Sequence, residues 1–122
     1  MPFTASAGQQ AATPINNGVG ALSSSQPLSS SATTHAGWDI TGVGAIGVSI
    51  KKFGTLTGDC TLSLQISFDG STFLTFKNYT NAQIADANGI ADFVQVKALQ
   101  ARFVLTLGTL TGSNGVTTRL MI

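Results

Sequence analysis

Few residues of this 122-residue chain are equipped for chemistry. His35, in SSATTHAGW, is its one histidine. A Ser-His-Asp hydrolase needs a nucleophile beside a base that a third group orients. No G-x-S-x-G elbow accompanies His35, so a surface or interface histidine is the expectation. The five acids are all aspartates: Asp39, Asp59, Asp69, Asp86 and Asp92. A carboxylate pair could serve glycoside cleavage, but Asp59 and Asp69 stand at turn signals, where aspartate is favoured for backbone reasons. Asp86, Asn88 and Asp92 resemble a calcium loop loosely, without a glutamate for bidentate closure. Cys60 is the single cysteine, which leaves no intrachain disulfide and no thiolate cluster. It lies on an apolar face with Leu62, Leu64 and Ile66, as a buried and inert thiol would. GVGAIG lacks the lysine and hydroxyl of a phosphate-cradling loop. These residues predict a chain that is not an enzyme and has no cofactor or metal.

Composition narrows the partners. Only 9% of residues are charged, and the net charge is +1. Lys51, Lys52, Lys77, Lys97, Arg102 and Arg119 are scattered, whereas nucleic acid is held by clustered cations that displace phosphate counterions. No run approaches the ~20 apolar residues of a spanning helix. MPFTASAGQQ has no basic segment followed by an apolar one, so no secretory signal is expected there. The reading is a soluble chain made in a host cytoplasm, with neither nucleic acid nor membrane as partner.

Residues 1–37 contain no Asp, Glu, Lys or Arg and hold all three prolines, Pro2, Pro14 and Pro27. With SSSQPLSSS and INNGVGAL, this composition predicts an extended polar arm, held by its own sandwich or by a neighbouring chain. From Trp38 the pattern alternates with period two, the mark of strands with one buried face. AIGVSIKKF places Ile46, Val48 and Ile50 together. CTLSLQISF places Cys60, Leu62, Leu64, Ile66 and Phe68 on one side. DFVQVKA gives Val94, Val96 and Ala98; ARFVLTL gives Phe103, Leu105 and Leu107; VTTRLMI gives Val116, Thr118, Leu120 and Ile122. Asp69-Gly70 predicts a two-residue type I′ hairpin, after which STFLTF runs back antiparallel. NAQIADANGI reads as a loop with one helical turn. The fold class is all-β: a single antiparallel β-sandwich or jelly roll over 38–122, with an extended arm over 1–37.

GTLTG occurs twice, at 54–58 and 108–112, each time between alternating stretches. Glycine at both ends suits tight backbone geometry, and both copies are expected as hairpin connections on similar corners of two sheets. Leu56 and Leu110 at their tips either contact a neighbouring subunit or fold back over the core. Among the aromatics, Trp38, Phe73, Phe76 and Tyr79 are candidates for a sugar-stacking face. Phe73 and Phe76 alternate, so one of them faces away from the core.

Ser67-Phe68-Asp69-Gly70-Ser71-Thr72-Phe73 resembles an S-x-D-G-x-x-aromatic hairpin, and Ala101-Arg102-Phe103-Val104 resembles an A-R-[YF]-[VIL] strand. Together they resemble small β-sandwich proteins of tailed-bacteriophage virions, namely capsid decoration (cement) proteins and tail or fibre components, over about residues 38–122. The resemblance implies non-enzymatic assembly on a virion through symmetric homo-oligomers, with the major capsid protein or other virion proteins as partners. It transfers no catalytic residue. The expected mechanism buries arm and loop-tip surface across subunits, with Pro14, Ile15, Leu22, Leu28, Leu56 and Leu110 as assembly contacts. The alternatives are a tail or fibre component, and a module that binds host glycan through Trp38 or Tyr79.

Overall fold

The structure is a computed structural model that describes residues 13–14, 23, 25–56, 59–107 and 114–122. Its strands are β1 (Thr13–Pro14), β2 (Gln26–Ser29), β3 (Trp38–Asp39), β4 (Ala45–Phe53), β5 (Thr61–Ser67), β6 (Leu74–Tyr79), β7 (Ile90–Gln95), β8 (Gln100–Thr106) and β9 (Gly115–Met121). One short helix, α1 (Asn81–Ile84), lies between β6 and β7. The strands form two sheets of four antiparallel strands each, ordered β3-β8-β5-β6 and β2-β9-β4-β7. The two-residue β1 extends the first sheet by pairing parallel to β3.

From β2 onward the chain passes back and forth between the sheets, and only β5 and β6 are both consecutive and paired. Among these eight strands, the first lies beside the last, the second beside the seventh, and the fourth beside the fifth. That winding is the jelly roll. Alternation is what makes it foldable: each strand sends one row of side chains inward and the other outward. Leu62, Leu64 and Ile66 from β5, Phe103 and Leu105 from β8, Ile46, Val48 and Ile50 from β4, and Val116 and Leu120 from β9 are all buried in one core. Trp38 is completely enclosed and meets Phe103 edge-on, with ring centroids 6.0 Å apart, a favoured aromatic geometry.

β4 and β5, like β8 and β9, belong to different sheets, so the GTLTG segments between them are not hairpin connections. Alternating strands and a glycine-rich connection are common to both arrangements, and the local pattern does not record which sheet the next strand joins. Thr55, in the first segment, is tied to the residue before β9: the Asn114 Oδ1 accepts from the Thr55 N–H at 3.1 Å. Gly54, at φ +70°, leaves room for that carboxamide, which a Cβ would meet at 2.0 Å. The second GTLTG, residues 108–112, lies outside the described residues.

The β5–β6 connection also differs from the type I′ expectation. It runs over residues 68–73, and the Asp69 carboxylate organises it by accepting from the backbone N–H of Ser71 and Thr72 at 2.9 and 2.8 Å. Gly70 takes the positive φ, +82°. Because the chain leaves the sheet at Ser67, Phe68 turns outward and is 61% exposed, away from the buried row with which it alternates.

Part of the stretch read as an arm is built into the sandwich. β2 pairs with β9 from Gln26↔Thr118 to Ser29↔Gly115, and Leu28 is fully buried. Ser23 is also tied to Leu120, through N–H to carbonyl at 2.7 Å and through its hydroxyl, which accepts from the Leu120 N–H. Charge-free composition resembles a linker, but β2 needs no charge: it offers backbone to β9 and one leucine to the core. α1 matches the expected single turn, with Thr80 and Gln83 forming a reciprocal capping box.

Candidate assembly surface

Most of the side chains considered for chemistry are occupied by local structure. His35 Nε2 engages the Pro27 carbonyl. Asp39 accepts from the Thr41 N–H at 2.9 Å and from its hydroxyl at 2.6 Å, and Asp86 from the Asn88 N–H at 2.9 Å. These are turn-closing contacts of the kind aspartate favours. Backbone N–H groups of Thr72 and Ser71, then the Ser67 hydroxyl, hold the Asp69 carboxyl at a pKa of about 2. Cys60 is buried at the entry to β5. Among the described residues no three of His, Cys, Asp or Glu group to hold a metal ion.

The aromatic candidates divide differently from the expectation. Trp38 and Tyr79 are both core residues, 0% and 2% exposed, so neither ring offers a face to a sugar. Their polar tips resemble those of surface aromatics in sequence, but the jelly roll turns both inward. Tyr79 places its hydroxyl on Asp92, while Trp38 Nε1 is buried with no hydrogen-bond partner among the described residues. Phe76 is the outward member of the other pair, 46% exposed. Phe73 lies in the loop under the Arg102 guanidinium, 3.8 Å from ring centroid to Cζ, and Arg102 Nε also donates to Gln65 Oε1 at 2.9 Å.

The expected assembly residues fall in three places. Leu28 and Leu56 bury their side chains in the chain's own core; for Leu56, that is the fold-back reading of the loop tip. Pro14 lies in β1, opposite Asp39 of β3. Ile15, Leu22 and Leu110 lie outside the described residues.

Among the described residues, β6 and β7 are outer strands of the two sheets with no further strand beside them. β6 carries an irregularity opposite Leu64/Gln65, with Phe76 as the extra residue between the Lys77 and Thr75 pairings. Such a bulge bends an edge strand. Lys77 and Asp92 pair with inward-facing Leu64 and Val48 and so meet between the sheets, Nζ to Oδ2 at 2.6 Å. The Tyr79 hydroxyl donates to the same Oδ2 at 2.7 Å. The Lys77 hydrogen bond, then that of Tyr79, lowers the Asp92 pKa; burial, then Asp92, raises that of Tyr79.

Among the described residues, four of the five exposed large apolar side chains are Leu74 and Phe76 on β6, Phe93 on β7 and Met121 on β9. Phe93 and Met121 stand on either side of Gly47, opposite which both are registered. Beside Met121 is a shallow dent of about 240 Å³, lined by Gly47, Val48, Ser49, Ala91, Asp92 and Met121. Sequence reasoning found Phe76 through its alternation with Phe73. It missed Leu74, Phe93 and Met121, because outward and inward rows of a strand are distinguishable only once the neighbouring strands are known. Phe93 was legible as the residue out of phase with buried Val94 and Val96. Comparison with protein-family models, with curated proteins and with solved structures finds no match to this chain.

Proposed function

We propose that this chain is a non-enzymatic structural protein of a virion, a decoration protein that binds the outer surface of a capsid lattice and stabilises it. The observation that carries the reading is the exposure of Leu74, Phe76, Phe93 and Met121 on β6, β7 and β9 of a chain of 122 residues with 9% charge. Exposed large apolar side chains suit interaction surfaces, and low charge removes self-repulsion from association. Jelly rolls recur in capsid and lectin domains, an analogy of fold that raises the reading without deciding it. The SFDGSTF and ARFVLTL resemblance points the same way.

Quantitative protein analysis of purified particles tests it. A decoration protein is present in hundreds of copies per particle, and removing it lowers the temperature at which the capsid ruptures. A handful of copies would make the chain a tail or fibre component, and absence from particles would overturn the virion reading.

A further inference from the structure

On the outer face of the second sheet, Gly47 of β4 stands between Phe93 of β7 and Met121 of β9, both registered opposite it. Both flanking side chains are exposed, and Phe93, at 71%, is the most exposed large apolar residue among those described. Glycine inside a strand forfeits packing and backbone entropy; the usual reasons for it are a bulge, a positive φ or close approach by another molecule. The first two do not apply. β4 keeps an unbroken register with both neighbours, and Gly47 has no positive φ. Nor does the chain fill the space itself: among the described residues a Cβ there would meet only Met121, its Cβ at 3.4 Å and its carbonyl oxygen at 3.8 Å. The one charged group bordering the adjoining dent, Asp92, is already held by Lys77 and Tyr79.

The charges on this face have one sign. Arg119 is registered opposite Ser49, and Lys51 follows Ser49 by two residues on the same side of β4. Both are exposed, and among the described residues no acid pairs with either. We propose that this face docks an acidic protein surface of the lattice that the chain decorates. One apolar side chain of the partner enters over Gly47, between Phe93 and Met121, and carboxylates ~7 Å along β4 meet Arg119 and Lys51. An apolar row beside a pair of cations suits that chemistry best. Two cations are too few to hold a phosphate backbone, and walls of Gly47, Val48, Ala91 and Met121 give sugar hydroxyls little to replace water. A second copy docked by the same face would set Lys51 and Arg119 against their own counterparts.

The inference rests on the decoration reading and adds the face and the chemistry by which it works. The test measures binding of the full-length chain to capsids assembled without it, by sedimentation, with light-scattering mass of the free chain alongside. Wild type is expected to saturate the particles and to bind more weakly as salt is raised. Gly47→Val fills the space with a residue that suits a strand, so it is expected to keep the wild-type thermal midpoint and to bind about tenfold more weakly. Arg119→Glu is expected to weaken binding as much, and Arg119→Lys to keep most of it. Lys97→Glu makes the same change of net charge beside Gly42 and Phe68, beyond the end of β7, and is expected to bind as wild type does. Phe93→Ser is the second variant, should Gly47→Val not fold. Undiminished binding by the Gly47 or Phe93 variant and by Arg119→Glu overturns the inference and leaves the decoration reading standing, as does an equal loss with Lys97→Glu. A wild type that binds no capsid overturns the reading and the inference with it. A wild type that self-associates, and that Gly47→Val makes monomeric, puts a second copy on the face and overturns the acidic partner.

Discussion

Asp92 is the residue on which the β6/β7 side turns. Its carboxylate takes a lysine and a tyrosine from the facing sheet, and its pKa is depressed. A depressed carboxylate contributes stability that is fully present above its unfolded pKa near 4 and is lost as pH falls through the folded value. Asp92→Asn is therefore expected to cost about 1 kcal/mol at neutral pH, discounted for a lysine that is 44% exposed, and to cost nothing once both states are protonated. Urea titrations from pH 7 downward check this: the difference between the two proteins should be largest near pH 7 and shrink as pH falls below the unfolded pKa near 4. Asp69 belongs to the same class by a different cause. Its partners are backbone N–H groups, and its side-chain resonance should titrate with a midpoint of about 2. Asp69→Asn should remove that titration while leaving the Asp92 midpoint in place.

At the scale of elements, β2 decides whether the sandwich has eight strands or seven. It is four residues long and contains Pro27, and it sits so close to β9 that a Cβ on Gly115 would lie 1.9 Å from the Leu28 carbonyl oxygen. Gly115→Ala must push the two strands apart, and the expected loss is about 1–3 kcal/mol. Hydrogen exchange should show the damage first in the amides of Gln26, Leu28 and Ser29, before β4 or β5. This strand also measures the limit of sequence reading. The long strands were legible because Ile46, Val48 and Ile50, or Leu62, Leu64 and Ile66, repeat at period two on faces that are buried. β2 shows only Leu28 in a run of serine, proline and glutamine, so nothing distinguishes it locally from a linker. Its identity comes from β9, some ninety residues away. The GTLTG segments show the same limit: they mark where one alternating stretch ends, but not the sheet that the next strand joins. Trp38 and Tyr79 illustrate it at the candidate site, since a ring with a polar tip reads alike whether the neighbouring strands cover it or not.

The whole molecule is a winding in which almost every strand pairs with one distant in sequence. β2 with β9 and β3 with β8 close only when the chain's two halves meet. Non-local pairings impose a loop-closure cost before any contact compensates it, so folding is expected on the millisecond-to-second scale typical of such topologies. The enclosed Trp38 is the chain's only tryptophan, and stopped-flow fluorescence reads its burial directly. A microsecond phase carrying most of the amplitude would contradict the topology.

Cys60 has so far figured only as one more wall of the core. Because it is the sole thiol and is completely enclosed, a thiol-alkylating reagent can reach it only when the start of β5 parts from its surroundings. Its rate of modification is thus a built-in stopwatch for opening of the sandwich. Run on the free protein and again on the protein bound to its assembly, that stopwatch reports how far partners lengthen the life of the closed state, with no label added and no residue changed.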